Sequence, residues 1–479
     1  MDAALVDALT AVLPAERVST DRHTLWLHAH DFWPRLVMAR RRGEDLPLPA
    51  AVVSPASADE VAAVLRWCNQ QRVAVVPYGA GTGVCGGASA VAGAITLDLK
   101  RMNAVTDLDE VSGTVTVQPG IIGQALEDHL ADRGWTLGHY PSSNHCSTIG
   151  GFLAVRSAGQ ASSFYGKLED MVVGLEAVLA DGTVVRSRPV PSSAAGPDLS
   201  RLFVGGEGTT GVITEATLRI WPRPAAARYR GVLVDDVVAG FDAARALLRT
   251  GLRPTVFRLY DETDTAMVFG AQGLDVPPGC LIVVGVEGDA DVVQFTSRHF
   301  LQRLIAGGAR DLGPEPGEHW RAHRYDISYR FAEYMRPGGA FGDAVMLDTM
   351  EVAALWSRLA DVYDRIRAAL SVHADLVLAH VSHIYPEGAS IYFTFGAAGQ
   401  GDEEAVAARY DAAWDAGQTA ALRTGATITH HHGVGRLRVP WLAEELGPGG
   451  LDVLTRVKRA LDPIGILNPG TLGLTEERR

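Results

Sequence analysis

The sequence predicts an α+β protein of two or three packed units, and three observations carry that expectation. At 479 residues the chain is longer than one ordinary hydrophobic core accommodates. Strand-like and helix-like hydrophobic periods alternate through the first half around an unusually long glycine-rich loop. A Trp221-Pro222-Arg223-Pro224 stretch then interrupts the pattern, and mixed β-rich and helical segments follow. The boundaries expected from these signals are 1–224, 225–425 and 426–479.

Residues 1–45 read as helical. PAAVVSP then reads as a strand, ADEVAAVLRWCNQQ as an amphipathic helix with Val61, Val64, Leu65 and Cys68 on its apolar face, and VAVVP as a second strand. The loop YGAGTGVCGGASAVAG leads to the strands AITLDL and GTVTVQPG and the helix IIGQALEDHLADRG. A Gly/Ser-rich section spans 142–166. VGLEAVLADGTVV reads as a hairpin around Asp181-Gly182, and TGVITEATLRIWP as a further strand. In the second unit RGVLVDD, CLIVVGVEG and ASIYFTF are strand-like, and VAALWSRLADVYDRIRAAL is helical. The last fifty residues hold glycine turns and a helix.

A net charge of −13, with no basic block, argues against a nucleic-acid partner. No apolar run reaches membrane-spanning length, and the N-terminus lacks a signal-peptide pattern, so a cytoplasmic enzyme acting on a small molecule is expected, with a homodimer left open. The four cysteines form no CxxC pair and no disulfide framework.

Gly81-Thr82-Gly83-Val84-Cys85-Gly86 matches GxGxxG, but a strand follows it where a dinucleotide-binding βαβ unit needs a helix N-terminus. Consecutive backbone N–H groups without side chains can still cradle a diphosphate. The loop Pro77-Tyr78-Gly79-Ala80-Gly81-Thr82-Gly83-Val84-Cys85-Gly86-Gly87 resembles that of the vanillyl-alcohol oxidase/p-cresol methylhydroxylase flavoproteins. So do Pro141-Ser142, Ser147-Thr148-Ile149-Gly150-Gly151, Glu207-Gly208-Thr209-Thr210-Gly211-Val212-Ile213 and Leu467-Asn468-Pro469-Gly470, in order along the chain. The resemblance implies a two-lobed, PCMH-type FAD-binding domain over 1–224, an α+β cap that holds substrate over 225–425, and a C-terminal segment returning to the flavin over 426–479. It also implies FAD held by those segments; many members tether FAD through a histidine in the glycine loop, this loop has none, and non-covalent FAD is expected.

His430-His431-His432-Gly433-Val434-Gly435 is the most informative local string. Adjacent strand residues face opposite ways, so a metal there needs ligands from elsewhere; none is expected. An imidazole beside a flavin suits proton transfer. The string resembles alkylglycerone-phosphate synthase. In that family the flavin N5 accepts the substrate carbon, an acyloxy group leaves and an alkoxide replaces it. By the same resemblance, catalysis falls to Tyr392 (in GASIYF), His432, His431, His139 (in GHYPS) and Arg336 (in YMR). Arg258 (in FRL), His430, His380 and His383 fall on substrate.

The other enzyme reading is an FAD-dependent D-2-hydroxyacid dehydrogenase, similar at Ala379-His380-Val381 and His432-Gly433. Its relatives carry a histidine and a glutamate where this chain has Tyr392 and His431. A non-catalytic flavin-binding module is the third reading. Cys146-Ser147-Thr148-Ile149-Gly150 has the spacing of a cysteine–flavin tether, an alternative to non-covalent FAD.

Overall fold

The computed structural model describes residues 3–270, 273–274, 276–339 and 342–474. The N-terminal lobe contains two sheets. In the first, Val18–Ser19, Ala51–Val53, Ile95–Asp98 and Val75–Tyr78 lie side by side in that order. Ile95–Asp98 pairs parallel with both Ala51–Val53 and Val75–Tyr78. The helix Ala58–Gln71 makes one crossover, in the span the sequence predicts. Ser57 caps its N-terminus on the Glu60 N–H, and Arg72 ends it in a left-handed turn at φ 56°. Its buried face (Val61, Ala62, Val64, Leu65, Cys68) joins the sheet core; fully burying each valine or leucine is worth about 1.5–3 kcal/mol.

The second sheet is antiparallel, ordered Val105–Asp109, Thr114–Val117, Val212–Arg219, Val172–Val178 and Val184–Arg186. Its last pair is the hairpin expected around Gly182, which sits at φ 81°. The 142–166 section is not all loop: Thr148 caps a short helix, Ile149–Ala154, and a single turn forms at Ser162–Tyr165.

Beyond Trp221-Pro222 the chain builds a seven-stranded antiparallel sheet. Its order is Arg310–Gly313, Ala226–Val234, Cys280–Gly288, Val256–Tyr260, Leu376–Ile384, Gly388–Ala398, Val345–Leu355. The period-2 alternation of these strands divides two environments. Phe257, Leu259, Ala379, Val381, Ile391, Phe393 and Phe395 join the core beneath helices Val237–Leu248, Ala290–Ala306, Leu359–Ser371 and Glu403–Thr424. Arg258, Tyr260, Leu378, His380, Tyr392 and Thr394 face a cavity on the other side.

One expected element is corrected. VAAL (352–355) ends a strand, and the helix begins at Leu359. Val345–Leu355 pairs with Gly388–Ala398 along its whole length, so sheet pairing overrides the local helical pattern. Among the described residues of the first 45 are three short α-helices and a 3-10 turn, Ala15–Arg17; the helix Pro34–Arg41 reaches the cap: Trp33 Nε1 donates to Tyr410 Oη at 3.1 Å, and Arg41 pairs with Glu403 at 2.7 Å. At the other end the Val75 N–H donates to Ile466 O and the Asn468 N–H donates to Val75 O, bridging Val75 to Leu467; Ile466 and Leu467 lie in the N-terminal core.

Candidate active site

A cavity of about 710 Å³ separates the N-terminal lobe from the cap sheet, within the range of small-molecule sites. The glycine loop, the 141–151 segment, the turn around Glu207-Gly208, the start of Val212–Arg219 and Asn468 form one wall. Among the described residues, no backbone N–H from Ala80 to Gly87 meets a protein acceptor. Gly81 sits at φ +66°, and a Cβ there would lie 2.0 Å from Tyr78 Oη. At Gly79 a Cβ would lie 2.4 Å from Thr148 Oγ1. A bare backbone with unspent donors along an open groove fits the diphosphate of an FAD. Asn468 fastens the wall by donating from Nδ2 to the carbonyls of Gly87 (2.8 Å) and Glu207 (2.7 Å).

The opposite wall is a row across four cap strands. Tyr260 pairs with His380, His380 with Tyr392, and Tyr392 with Glu351. Tyr392 stacks on His380 (centroids 5.0 Å, planes 19°) and His431 (6.0 Å, 20°), with His432 edge-on at 5.6 Å. Its hydroxyl donates to Thr349 Oγ1 at 2.9 Å, and burial pushes its ionisation well up, so it stays a phenol and hydrogen-bond donor. His380 donates from Nδ1 to Asp264 (2.9 Å) and accepts at Nε2 from Arg258 (2.7 Å). Burial, then the Arg258 charge, holds this imidazole below its usual range. Arg258 makes no ion pair among the described residues, and its buried Nε has no acceptor there.

Two buried glutamates grip the histidine turn. Glu351 Oε1 accepts the N–H groups of His430 (3.2 Å), His431 (3.2 Å) and His432 (2.8 Å), and the Thr429 hydroxyl at 2.6 Å. Its other oxygen meets Arg438, and both side chains are wholly buried. His432 Nδ1 lies 3.3 Å from the same oxygen, off the line of a hydrogen bond. Burial alone would raise the Glu351 carboxyl; Arg438 and His432 outweigh it and hold the group well below its usual range. Glu207 accepts from the N–H groups of Val434 (2.7 Å) and Gly435 (2.8 Å), and burial pushes it up to about 7.

The cavity thus gathers Arg258, His380, His383, Tyr392, His431 and His432, with most residues of the expected flavin segments; Gly86 packs beneath Trp33, and Ile149 and Leu467 turn into the hydrophobic core. Three expected residues lie off it. His430 sits behind His431. His139 is buried behind Phe152 (5.1 Å, edge-on), with neither ring nitrogen partnered among the described residues, and burial lowers it to about 3. Arg336 is exposed in the turn after Phe331–Tyr334. A neutral ring behind an apolar wall and an exposed guanidinium are poor candidates for contact with substrate. Glu351, Asp264 and Arg438 are the residues that sequence reading missed. Each is an ordinary charged residue until tertiary packing buries it. Cys146 lines the cavity, but burial raises its thiol, and His145 packs on Tyr325 and Tyr329.

Residues 49–188 match the FAD binding domain family, and 223–472 the C-terminal domain of FAD linked oxidases. The chain is 31% identical to alkyldihydroxyacetonephosphate synthase of Trypanosoma brucei brucei, over 98% of this chain and 80% of that one. It is 32% identical to the uncharacterized FAD-linked oxidoreductase YgcU of Escherichia coli (strain K12), over 98% of both. It is 28% identical to glycolate oxidase subunit GlcD of Bacillus subtilis (strain 168), over 90% of both. A solved alkyldihydroxyacetonephosphate synthase superposes with a TM-score of 0.80 at 25% identity, covering 98% of this chain and 85% of that one. p-Cresol methylhydroxylase shares the fold at 0.79 and 18% identity, covering 98% and 96%. Among the described residues no helix is long and apolar enough to cross a membrane. With a bare glycine groove on one wall and a histidine–tyrosine row on the other, this chain belongs to the FAD-linked oxidase family, as an FAD-dependent enzyme with a PCMH-type flavin lobe.

Proposed function

We propose that the enzyme acts on a hydroxy or keto substrate bearing an anionic group, in the manner of an alkylglycerone-phosphate synthase: an acyloxy group is exchanged for an alkoxide without net redox. The observation that carries this reading is the row His380–Tyr392–His431–His432 facing the glycine groove, with Arg258 beside it. Bound FAD supplies an N5 centre able to accept a substrate carbon or a hydride. Arg258, with no carboxylate partner among the described residues, is the cation for the anionic group. Tyr392 donates a hydrogen bond from its hydroxyl to a departing carboxylate and keeps its proton. His432 takes the proton of the incoming alcohol, and the Glu351 carboxylate 3.3 Å from Nδ1 offsets the charge it acquires. Phe257, Phe393 and the aliphatic core behind the sheet keep water from the rear of the row.

A second reading, oxidation of a D-2-hydroxyacid, draws on the Arg258–His380–Asp264 chain, which sets a carboxylate-binding cation beside a neutral, fixed imidazole. Anaerobic mixing with acyl-dihydroxyacetone-phosphate and with D-2-hydroxyacids separates the two. Flavin bleaching with release of fatty acid and no net reduction is expected for the first substrate. Stoichiometric reduction by a hydroxyacid, with no response to the acyl ester, overturns the synthase reading.

A further inference from the structure

Three imidazoles that the proposed reaction does not jointly use converge at the edge of the cavity, His383 and His431 lining it and His430 behind them. His383, His430 and His431 each offer a ring nitrogen, all within 4.8 Å of one another. Their ring centroids form a near-equilateral triangle with sides of 5.1, 5.3 and 5.2 Å. An ion bound tetrahedrally by imidazole nitrogens at about 2.0–2.1 Å sets ring centres roughly 5 Å apart. His430 Nδ1 and His431 Nδ1 are already 3.0 Å apart.

Two local devices bring the rings together. Residues 430–432 do not run as a strand. Their three successive N–H groups all turn to Glu351 Oε1, which removes the face-to-face alternation of an extended segment. On Leu376–Ile384 the register shifts between Val381 and His383, so Ser382 and His383 both reach the cavity.

The surroundings match those of metal-bound histidines, whose second ring nitrogen is held by an oxygen. Ser162 Oγ lies 2.6 Å from His383 Nδ1, and Tyr385 Oη lies 2.8 Å from His430 Nε2. That leaves His383 Nε2 and His430 Nδ1 for the centre. Three nitrogen donors without a carboxylate suit zinc, cobalt or nickel and disfavour magnesium or calcium. His383 and His431 line the cavity, so a fourth coordination position would open toward substrate.

We propose that His383, His430 and His431 form a three-nitrogen site for a zinc-class divalent cation whose open position faces the substrate cavity. The site is independent of whether the enzyme exchanges an acyl group or oxidises a hydroxyacid. It differs from a purely hydrogen-bonded chain Tyr385–His430–His431 in what it binds.

The test uses the FAD-loaded protein and zinc or cobalt(II) alone. The protein is stripped with a chelator, reloaded and dialysed; metal is then counted against flavin by mass spectrometry, and the cobalt form is read by visible absorption beyond the flavin bands. One metal ion per flavin, with four-coordinate cobalt bands, is expected. His383→Asn abolishes both while retaining FAD. Ser162→Ala, which keeps all three ligands, weakens affinity by about 10–100-fold. His432→Ala keeps the metal. Wild-type protein that retains no ion after reloading overturns the proposal without any variant, as does undiminished binding in His383→Asn. Metal loss confined to His432→Ala would place the ion elsewhere and also overturn it.

Discussion

Replacing Glu351 with glutamine tests the central electrostatic arrangement of the cap. The amide keeps one oxygen for the N–H groups of His430, His431 and His432, but turns a donor toward Arg438, whose guanidinium is wholly buried. Among the described residues Arg438 then keeps neutral acceptors, Gly433 O at 2.6 Å and Cys85 Sγ at 2.9 Å, and its stacking over Trp414 at 5.1 Å. Stranding one partner of a buried pair costs about 3–5 kcal/mol. Treating the cap as the unit that melts, this is a fall of roughly 10 °C in Tm. The sign with pH is fixed: a carboxyl held below its unfolded value stabilises the fold above about pH 4.5, and that contribution disappears as pH falls through the folded value. The deficit of Glu351→Gln is therefore full at pH 7 and shrinks on acidification. Adding Arg438→Met removes the stranded cation, so the double variant is more stable than the sum of the single losses. Differential scanning calorimetry of the four proteins at pH 7 and pH 4 provides the measurement. A Glu351→Gln protein within 1 °C of wild type, or strictly additive losses, would refute the reasoning.

Glu127, which accepts from Thr136 Oγ1 (2.8 Å) and the Gly138 N–H (3.1 Å), is raised by burial to about 7. Its stability contribution is complete below pH 4.5 and declines by ~3 kcal/mol as pH rises through 7, so Glu127→Gln should raise Tm at pH 8 and barely change it at pH 4.5; equal shifts at both would contradict this. Tyr392→Phe and His432→Ala should each lower turnover by about 10²–10⁴-fold while the flavin spectrum is retained, and near-normal rates would remove either residue from the mechanism. The raised Cys146 thiol is a poor nucleophile. Acid precipitation should leave a yellow supernatant, whereas a yellow pellet that whitens in Cys146→Ala would establish a covalent bond.

By itself the sequence determined what depends on neighbours along the chain. Ser57 and the apolar spacing of 58–71 define a helix because capping and amphipathicity are local. The glycine run from Gly79 to Gly87 announces a bare backbone where side chains are excluded, and the strand after it rules out a βαβ loop. His430-His431-His432 mark chemistry by residue type alone. Tertiary structure decided which groups meet. VAAL reads as helix until Gly388–Ala398 supplies a pairing partner. Glu351 is one acid among 56 until two strands and a turn bury it against Arg438. His139 and Arg336 sit in suggestive strings, yet Phe152 screens the first and solvent surrounds the second. His383 joins His430 and His431 through a one-residue register shift. Sequence spacing does not record such shifts, because the alternation of a strand is broken by its partner and not by its own residues.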